Sequence, residues 1–261
     1  MSFRLGVVAS LGLVLTTLAP SPALALRAKE IGDGDLLLPN ISTLQPTGLR
    51  TVRSDGGTRL LRFSNTIANV GAGPVELEPR KHDCDGDGNP ANDREAIQRI
   101  YHDMDGDGVY RRSVDTSVQT RVAGCFEFSV AHGHWHFHDF ADYQLVDIAS
   151  GEAMVTNDKV GVCLLDTLHP YPGVPGSPSH RYYRGCRRNS VQGQSVGFAD
   201  IYAWYFAGQW MDVTGTPNGD YCLVTTADPA DQLLESDETD NAYRQEIRLT
   251  GSGVIPLTNA C

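Results

Sequence analysis

Between Ala131 and Asp139 histidine alternates with glycine or an aromatic residue, in the order His132-Gly133-His134-Trp135-His136-Phe137-His138. Side chains of an extended strand point to opposite faces with period two. A strand here puts all four imidazoles on one face and Trp135 and Phe137 on the other. The aromatic face demands a core, and the imidazole face demands an opening. Four of the chain's eight histidines lie in these seven residues. As a mere polar surface they would repel one another below neutral pH. Imidazole nitrogens suit copper and zinc, and three of them plus a water make an open metal site. In a flat strand the Cα atoms of His134 and His138 stand about 13 Å apart, too far for one ion, so the chain has to curl or bulge there.

The rest of the chain supports strands. Helix-length amphipathic periodicity is scarce, and short runs rich in Val, Ile, Leu, Tyr and Phe recur between Gly, Pro and Asp clusters. Strands are expected at Arg59–Ile67, Val75–Glu78, Ala96–His102, Cys125–Val130, His134–Phe140, Tyr143–Ile148, Tyr221–Thr226 and Tyr243–Leu249. Gly71-Ala-Gly-Pro74 and Gly215-Thr-Pro-Asn-Gly219 are turns. The expected class is all-β, a β-sandwich core with long loops and little helix. Leu168–Gln194, rich in Pro, Gly, Arg and Tyr, reads as a long loop whose ends Cys163 and Cys186 could pin.

Residues 1–25 read as a secretory signal peptide. Arg4 opens it, Val7–Leu18 is its apolar stretch, and Ala23-Leu24-Ala25 is a small-x-small cleavage site. The mature chain is then expected to begin near Leu26 and to be secreted, as one domain over 26–261. No second apolar run approaches the roughly 20 residues a membrane span needs. The net charge of -11 argues against nucleic acid and favours cationic ligands. Six cysteines (84, 125, 163, 186, 222 and 261) without a C-x-x-C pair indicate three disulfides in an oxidising compartment, with connectivity open among 15 arrangements.

Two segments share the pattern D-x-D-x-D-G: Asp83, Asp85 and Asp87 before Gly88, and Asp103, Asp105 and Asp107 before Gly108. Such a run can wrap Ca²⁺, or can be an acidic turn. Arg94 and Val114 stand where an EF-hand needs a closing Glu.

The histidine run followed by an acidic, aromatic strand resembles the copper site of the lysyl oxidase family, with His134, His136 and His138 at the three ligand positions and His132 as an extra histidine. Three further motifs extend the resemblance from about Gly34 to Gly251, around an insertion at about 81–124. Asn157-Asp-Lys159-Val-Gly-Val-Cys163-Leu-Leu-Asp166-Thr167 is similar to the segment that carries the family's cofactor lysine. Gly197-Phe-Ala-Asp200-Ile-Tyr202, counted back from Gln209-Trp210, puts Tyr202 at the cofactor tyrosine. Taken singly, Lys159 reads as a surface lysine and Tyr202 as a core aromatic; the resemblance implies that they cross-link into lysine tyrosylquinone. Glu235-Ser-Asp237-Glu-Thr-Asp240-Asn241 resembles the family's calcium segment, completed by Asp35 and the carbonyl of Leu36.

The resemblance implies a secreted oxidase of primary amines, either small amines or lysine in lysine-rich proteins and peptides. It would use O₂ and copper and release aldehyde, H₂O₂ and ammonia. His132 and Asp139 are the nearest residues to serve as base. The resemblance retains a Cys163–Cys186 disulfide; Cys84–Cys125 and Cys222–Cys261 are taken as the other pairs. Gly133 and Gly208 replace cysteines of animal members. A calcium-stabilised extracellular binding module of the same fold, without activity, is the alternative. A zinc hydrolase is a third reading, but there is no H-E-x-x-H, and no acid stands between the clustered histidines.

Overall fold

The computed structural model describes residues 36–261 except 55, 90, 259 and 260. The signal segment and Asp35 lie outside the described residues. Fourteen strands form and no helix does, among the described residues. None therefore supplies a helix long and apolar enough to cross a membrane.

In chain order the strands are β1 (Leu36–Leu37), β2 (Ile41–Arg53), β3 (Arg59–Asn69), β4 (Val75–Arg80), β5 (Asp93–His102), β6 (Val118–Ser129), β7 (His134–Asp147), β8 (Ala153–Val162), β9 (Gln192–Gln194), β10 (Ala199–Tyr202), β11 (Met211–Asp212), β12 (Gly219–Ala227), β13 (Ala242–Thr250) and β14 (Gly253–Pro256). A ten-stranded antiparallel sheet runs β14-β13-β12-β7-β6-β5-β4-β9, with β1 on β5 and β8 on β7. A second, four-stranded sheet places β10, β11 and β2 on β3. The sheets pack face to face, with Phe63 of β3 edge-on to Tyr143 of β7 at 4.9 Å between ring centroids. Around this pair Leu61, Phe126, Phe137, Phe140, Leu145 and Leu223 are all buried. The aromatic face expected of the histidine strand thus becomes core.

Each expected strand lies within or across an observed one, and the two expected runs at 134–140 and 143–148 form the single strand β7. β2 was hidden by Pro46 and Gly48, which sit where its register against β3 shifts, between Leu44 and Thr47 and again before Arg50. A proline is tolerated at such a break because no ladder donor is required of it there. β8 was hidden by its Asn, Asp, Lys and Gly residues, and its pairing with β7 is likewise broken by register shifts.

The three expected disulfides form: Cys84–Cys125, Cys163–Cys186 and Cys222–Cys261. The long loop between β8 and β9 is tied down by Asp166. That buried carboxylate accepts from the backbone N–H groups of Tyr182, Tyr183 and Ser195 and from the Ser195 hydroxyl. The acid of the Cys-Leu-Leu-Asp-Thr motif is therefore a structural anchor.

Candidate metal centre and adjoining cavity

The turn that joins β6 to β7 decides which histidines meet. Gly133 has φ +73°, a left-handed conformation that glycine adopts without steric cost. The chain doubles back there and carries His132, which precedes the strand, over the rings of His134 and His136. Nε2 of His136 lies 3.1 Å from Nδ1 of His132 and 3.1 Å from Nε2 of His134. One nitrogen from each of these three residues falls within 4.8 Å of the others.

The far sides of two rings are fixed. Nε2 of His132 donates to the Ala207 carbonyl at 3.0 Å, so its Nδ1 lone pair faces the cluster. The backbone of Gly161 in β8 hydrogen-bonds His136 from behind. Hydrogen bonds of this kind set the tautomer of a metal-bound imidazole. Burial, with the neighbouring histidines adding to it, pushes His136 down to about 3 and also lowers His134. Both rings therefore stay neutral at physiological pH, the form in which imidazole binds a metal. The three nitrogens meet as lone-pair donors across a gap of cation size, so the donor set fits a nitrogen-liganded metal such as copper or zinc.

His138 lies elsewhere. Its Nδ1 is 3.0 Å from Asp139 and its Nε2 is 3.5 Å from Glu127. The pairing of β7 with β8 skips between Phe137 and Ala141, and Asp139 has φ +57°. That irregularity breaks the period-two alternation just where His138 would have joined the other rings.

Tyr202 ends β10, opposite Asn65 of β3. Its hydroxyl accepts the backbone N–H of Cys163 at 2.7 Å and stands 3.5 Å from Nε2 of His136. Burial pushes this phenol's pKa up. Lys159 lies in β8, four residues before Cys163 and beside Val160, which pairs with Ala141. The side chain of Lys159 lies outside the described residues.

A cavity of about 540 Å³ opens in front of this group, lined by His132, His134, Tyr202, Tyr205, Phe206 and Asp200 among others. Nothing in the sequence alone marks Asp200. Among the described residues it is the one carboxylate in the cavity wall, and it sits two residues before Tyr202 on the same strand face. Burial pushes its carboxyl up to about 7, against hydrogen bonds from Thr167 and from the backbone. Among the described residues its Oδ2 has no hydrogen-bond partner. The local sequence held no sign of this, because burial by distant strands produces it. Asp139, one of the two suggested bases, is not in that wall.

The acidic segment after β12 folds back on the start of β2. Glu235 is buried and accepts the Ile41 N–H at 2.6 Å and the Asn241 side-chain amide at 3.2 Å. Burial raises it to about 8. Asn40 donates to Asp240 at 3.1 Å, while Asp237 turns to Thr239. Among the described residues Oδ1 of Asp240 and Oδ1 of Asn241 are buried without partners, so hard oxygen donors are left unused here. Leu36 lies in β1 against His102. The two Asp-Gly loops lie between β4 and β5 and between β5 and β6.

The all-β scaffold thus gathers three imidazoles beside a buried phenol. The sequence profile of the family described as lysyl oxidase matches residues 111–261. Protein-lysine 6-oxidase of Rattus norvegicus is 34% identical over 135 residues, covering 51% of this chain and 31% of that protein. The Sus scrofa protein of the same name is 33% identical over 135 residues, with 51% of each chain covered. Lysyl oxidase homolog 4 of Mus musculus is 27% identical over 176 residues, covering 63% of this chain and 22% of that protein. The chain belongs to the lysyl oxidase family. Its match spans about a third to a half of the length of the protein-lysine 6-oxidases quoted.

Proposed function

We propose that this chain is a secreted, copper-dependent primary-amine oxidase of the protein-lysine 6-oxidase kind. The observation that carries the reading is the Tyr202 hydroxyl, 3.5 Å from the innermost of three converging imidazoles. A structural zinc site has no need of a phenol beside it. A redox metal that modifies the phenol does.

His132, His134 and His136 would hold the copper. When bound, copper would supply, with O₂ as the oxidant and oxygen source, the oxidation that joins the Tyr202 ring to the Lys159 amine as lysine tyrosylquinone, and the quinone would supply an electrophilic carbonyl and an electron sink. The chain's own residues do the rest. The Cys163 N–H fixes the phenol oxygen. Tyr205 and Phe206 form an apolar wall suited to an alkyl amine chain. Asp200, with a carboxyl raised to about 7, is matched to accept a proton from substrate at neutral pH.

The overall reaction converts RCH₂NH₂, O₂ and water into RCHO, NH₃ and H₂O₂. The substrates are small primary amines or lysine side chains, and the chain's negative charge of -11 draws lysine-rich peptides toward it. Glu235, Asp237, Asp240 and Asn241, with Asp35 and the Leu36 carbonyl, would bind Ca²⁺ and tie the start of the fold to its end. The unused oxygens of Asp240 and Asn241 support this. The three disulfides fit an oxidising destination.

The test is peptide mapping of the purified, copper-loaded protein together with an amine-dependent H₂O₂ assay. The expected result is one cross-linked species joining the Lys159 and Tyr202 peptides, and H₂O₂ release that Lys159→Ala abolishes. Unlinked peptides in protein that carries its copper would overturn the assignment.

A further inference from the structure

The two D-x-D-x-D-G loops look alike in sequence, but the structure completes them differently. In both, the first aspartate accepts the two glycine N–H groups that follow. Asp83 takes those of Gly86 and Gly88, each at 2.8 Å. Asp103 takes those of Gly106 at 2.9 Å and Gly108 at 2.8 Å. The carboxylates of Asp83, Asp85 and Asp87 gather in the first loop, and those of Asp103, Asp105 and Asp115 in the second.

The second loop carries its own cation. Arg111, eight residues after Asp103, sets its guanidinium against Asp105 at 3.1 Å and also against Asp107. Asp115 closes that loop with both oxygens satisfied, by the N–H groups of Met104 and Arg111. In the first loop the matching position, eight residues after Asp83, is Ala91. Among the described residues no ion pair reaches Asp83, Asp85, Asp87 or Asp93. The Arg94 guanidinium next to it donates to the Asp93 backbone carbonyl and lies over the Trp135 ring.

Asp93 is the second, independent sign. It is fully buried, and its Oδ2 accepts from the N–H groups of Cys84 and Asp85, so the carboxylate is turned onto the loop. Its Oδ1 is sealed from solvent and has no partner among the described residues. A buried carboxylate oxygen with no donor among the described residues, on an aspartate bonded to the backbone of a loop that gathers three more carboxylates, is a poor arrangement for a protein alone and a good one for a hard divalent cation. The nearby guanidiniums of Arg94 and Arg188 are bonded to the Asp93 and Ala91 carbonyls.

We propose that the loop Asp83–Asp93 binds a Ca²⁺ ion through Asp83, Asp85, Asp87 and Asp93, and that the loop Asp103–Asp115 binds none because Arg111 already neutralises it. The ion would lie near the metal centre in the weave of the sheet. Asp93 pairs with Glu127 of β6, and Glu127 pairs with His136 of β7. The Cys84–Cys125 disulfide fastens the loop to the same strand β6. Ca²⁺ here would hold the strand that backs the histidine turn.

The test is equilibrium dialysis of the full chain, first stripped with chelator, against radiolabelled Ca²⁺ up to about 1 mM, the weak end of the range for extracellular loops. The wild type is expected to bind one ion more per chain than the Asp85→Asn/Asp87→Asn double variant. Ala91→Arg, which copies Arg111 into an exposed position of the first loop, is expected to lose the same ion. Asp105→Asn is expected to bind as the wild type does. Should the double variant fail to fold, Ala91→Arg carries the test alone. Equal binding by wild type and Ala91→Arg, or loss of an ion in Asp105→Asn, overturns the proposal. A Glu235→Gln variant reads the segment after β12 separately, so loss of that ion does not bear on this one.

Discussion

Replacing Tyr202 by Phe separates two roles that one hydroxyl holds. The ring keeps its place between His136 and Phe206, so the core loses no volume. The lost atom is the acceptor for the buried Cys163 N–H, a bond of 2.7 Å. Cys163 is 7% exposed, so water cannot replace it without rearrangement. An unsatisfied buried donor costs about 1–3 kcal/mol. For a domain of this size each kcal/mol lowers Tm by about 2–4 °C, so the expected fall is about 2–12 °C. The three imidazoles keep all their own contacts, because the tyrosine oxygen sits 3.5 Å from His136, at the limit of a hydrogen bond. Copper content by mass spectrometry should therefore stay at the wild-type level. Amine-dependent H₂O₂ release should vanish, since no phenol remains to become the quinone. Full activity would refute the cofactor assignment, loss of copper would show that Tyr202 is itself a ligand, and an unchanged Tm would refute the role given to the Cys163 hydrogen bond.

Alanine at His132 or at His138 separates the convergent triplet from the sequence-based one. His132→Ala should weaken copper binding by at least about 100-fold, above the usual loss for a supporting residue, while His138→Ala should leave copper content unchanged in the same competition titration. Asp200 holds its proton in the folded state up to about pH 7, against an ordinary value of 3.8, so folding stability should fall as pH rises between those values, by at most about 4 kcal/mol. Asp200→Asn should flatten that part of a Tm-against-pH curve and raise Tm at pH 8; a curve with the wild-type slope would refute the burial argument. At Gly73 an added Cβ would stand 1.9 Å from the Leu37 carbonyl oxygen, so Gly73→Ala should cost at least about 2 kcal/mol in denaturant unfolding, and a neutral result would refute the close approach of β1 to this turn.

The strands were legible where short runs rich in Val, Ile, Leu, Tyr and Phe recur between turn signals, as in β3, β5 and β12. They were not legible in β2 and β8, where Pro46, Gly48 or a polar run is carried by breaks in register that only the partner strand makes tolerable. The segments around Lys159, Tyr202 and Glu235 could be picked out because each resembles a contiguous segment of the lysyl oxidase family. Asp200 could not, since an aspartate in Gly-Phe-Ala-Asp-Ile-Tyr is unremarkable until other strands strip the water from it. The two Asp-Gly loops were equal on paper, and Arg111 and Asp93 make them different through side-chain placement.

The sequence by itself determined that an imidazole face and an aromatic face share one strand, because period-two alternation is a local property of the extended chain. It did not determine which three imidazoles converge. That choice belongs to the β6–β7 turn, which folds His132 back through Gly133, and to the break in the ladder at Asp139, which sends His138 toward Glu127. The phenol of Tyr202 reaches the same point from the other sheet, 66 residues along the chain from His136. Local alternation sets the direction of a side chain, but convergence on one point requires strands remote in sequence to pack in register, and only the tertiary fold supplies that.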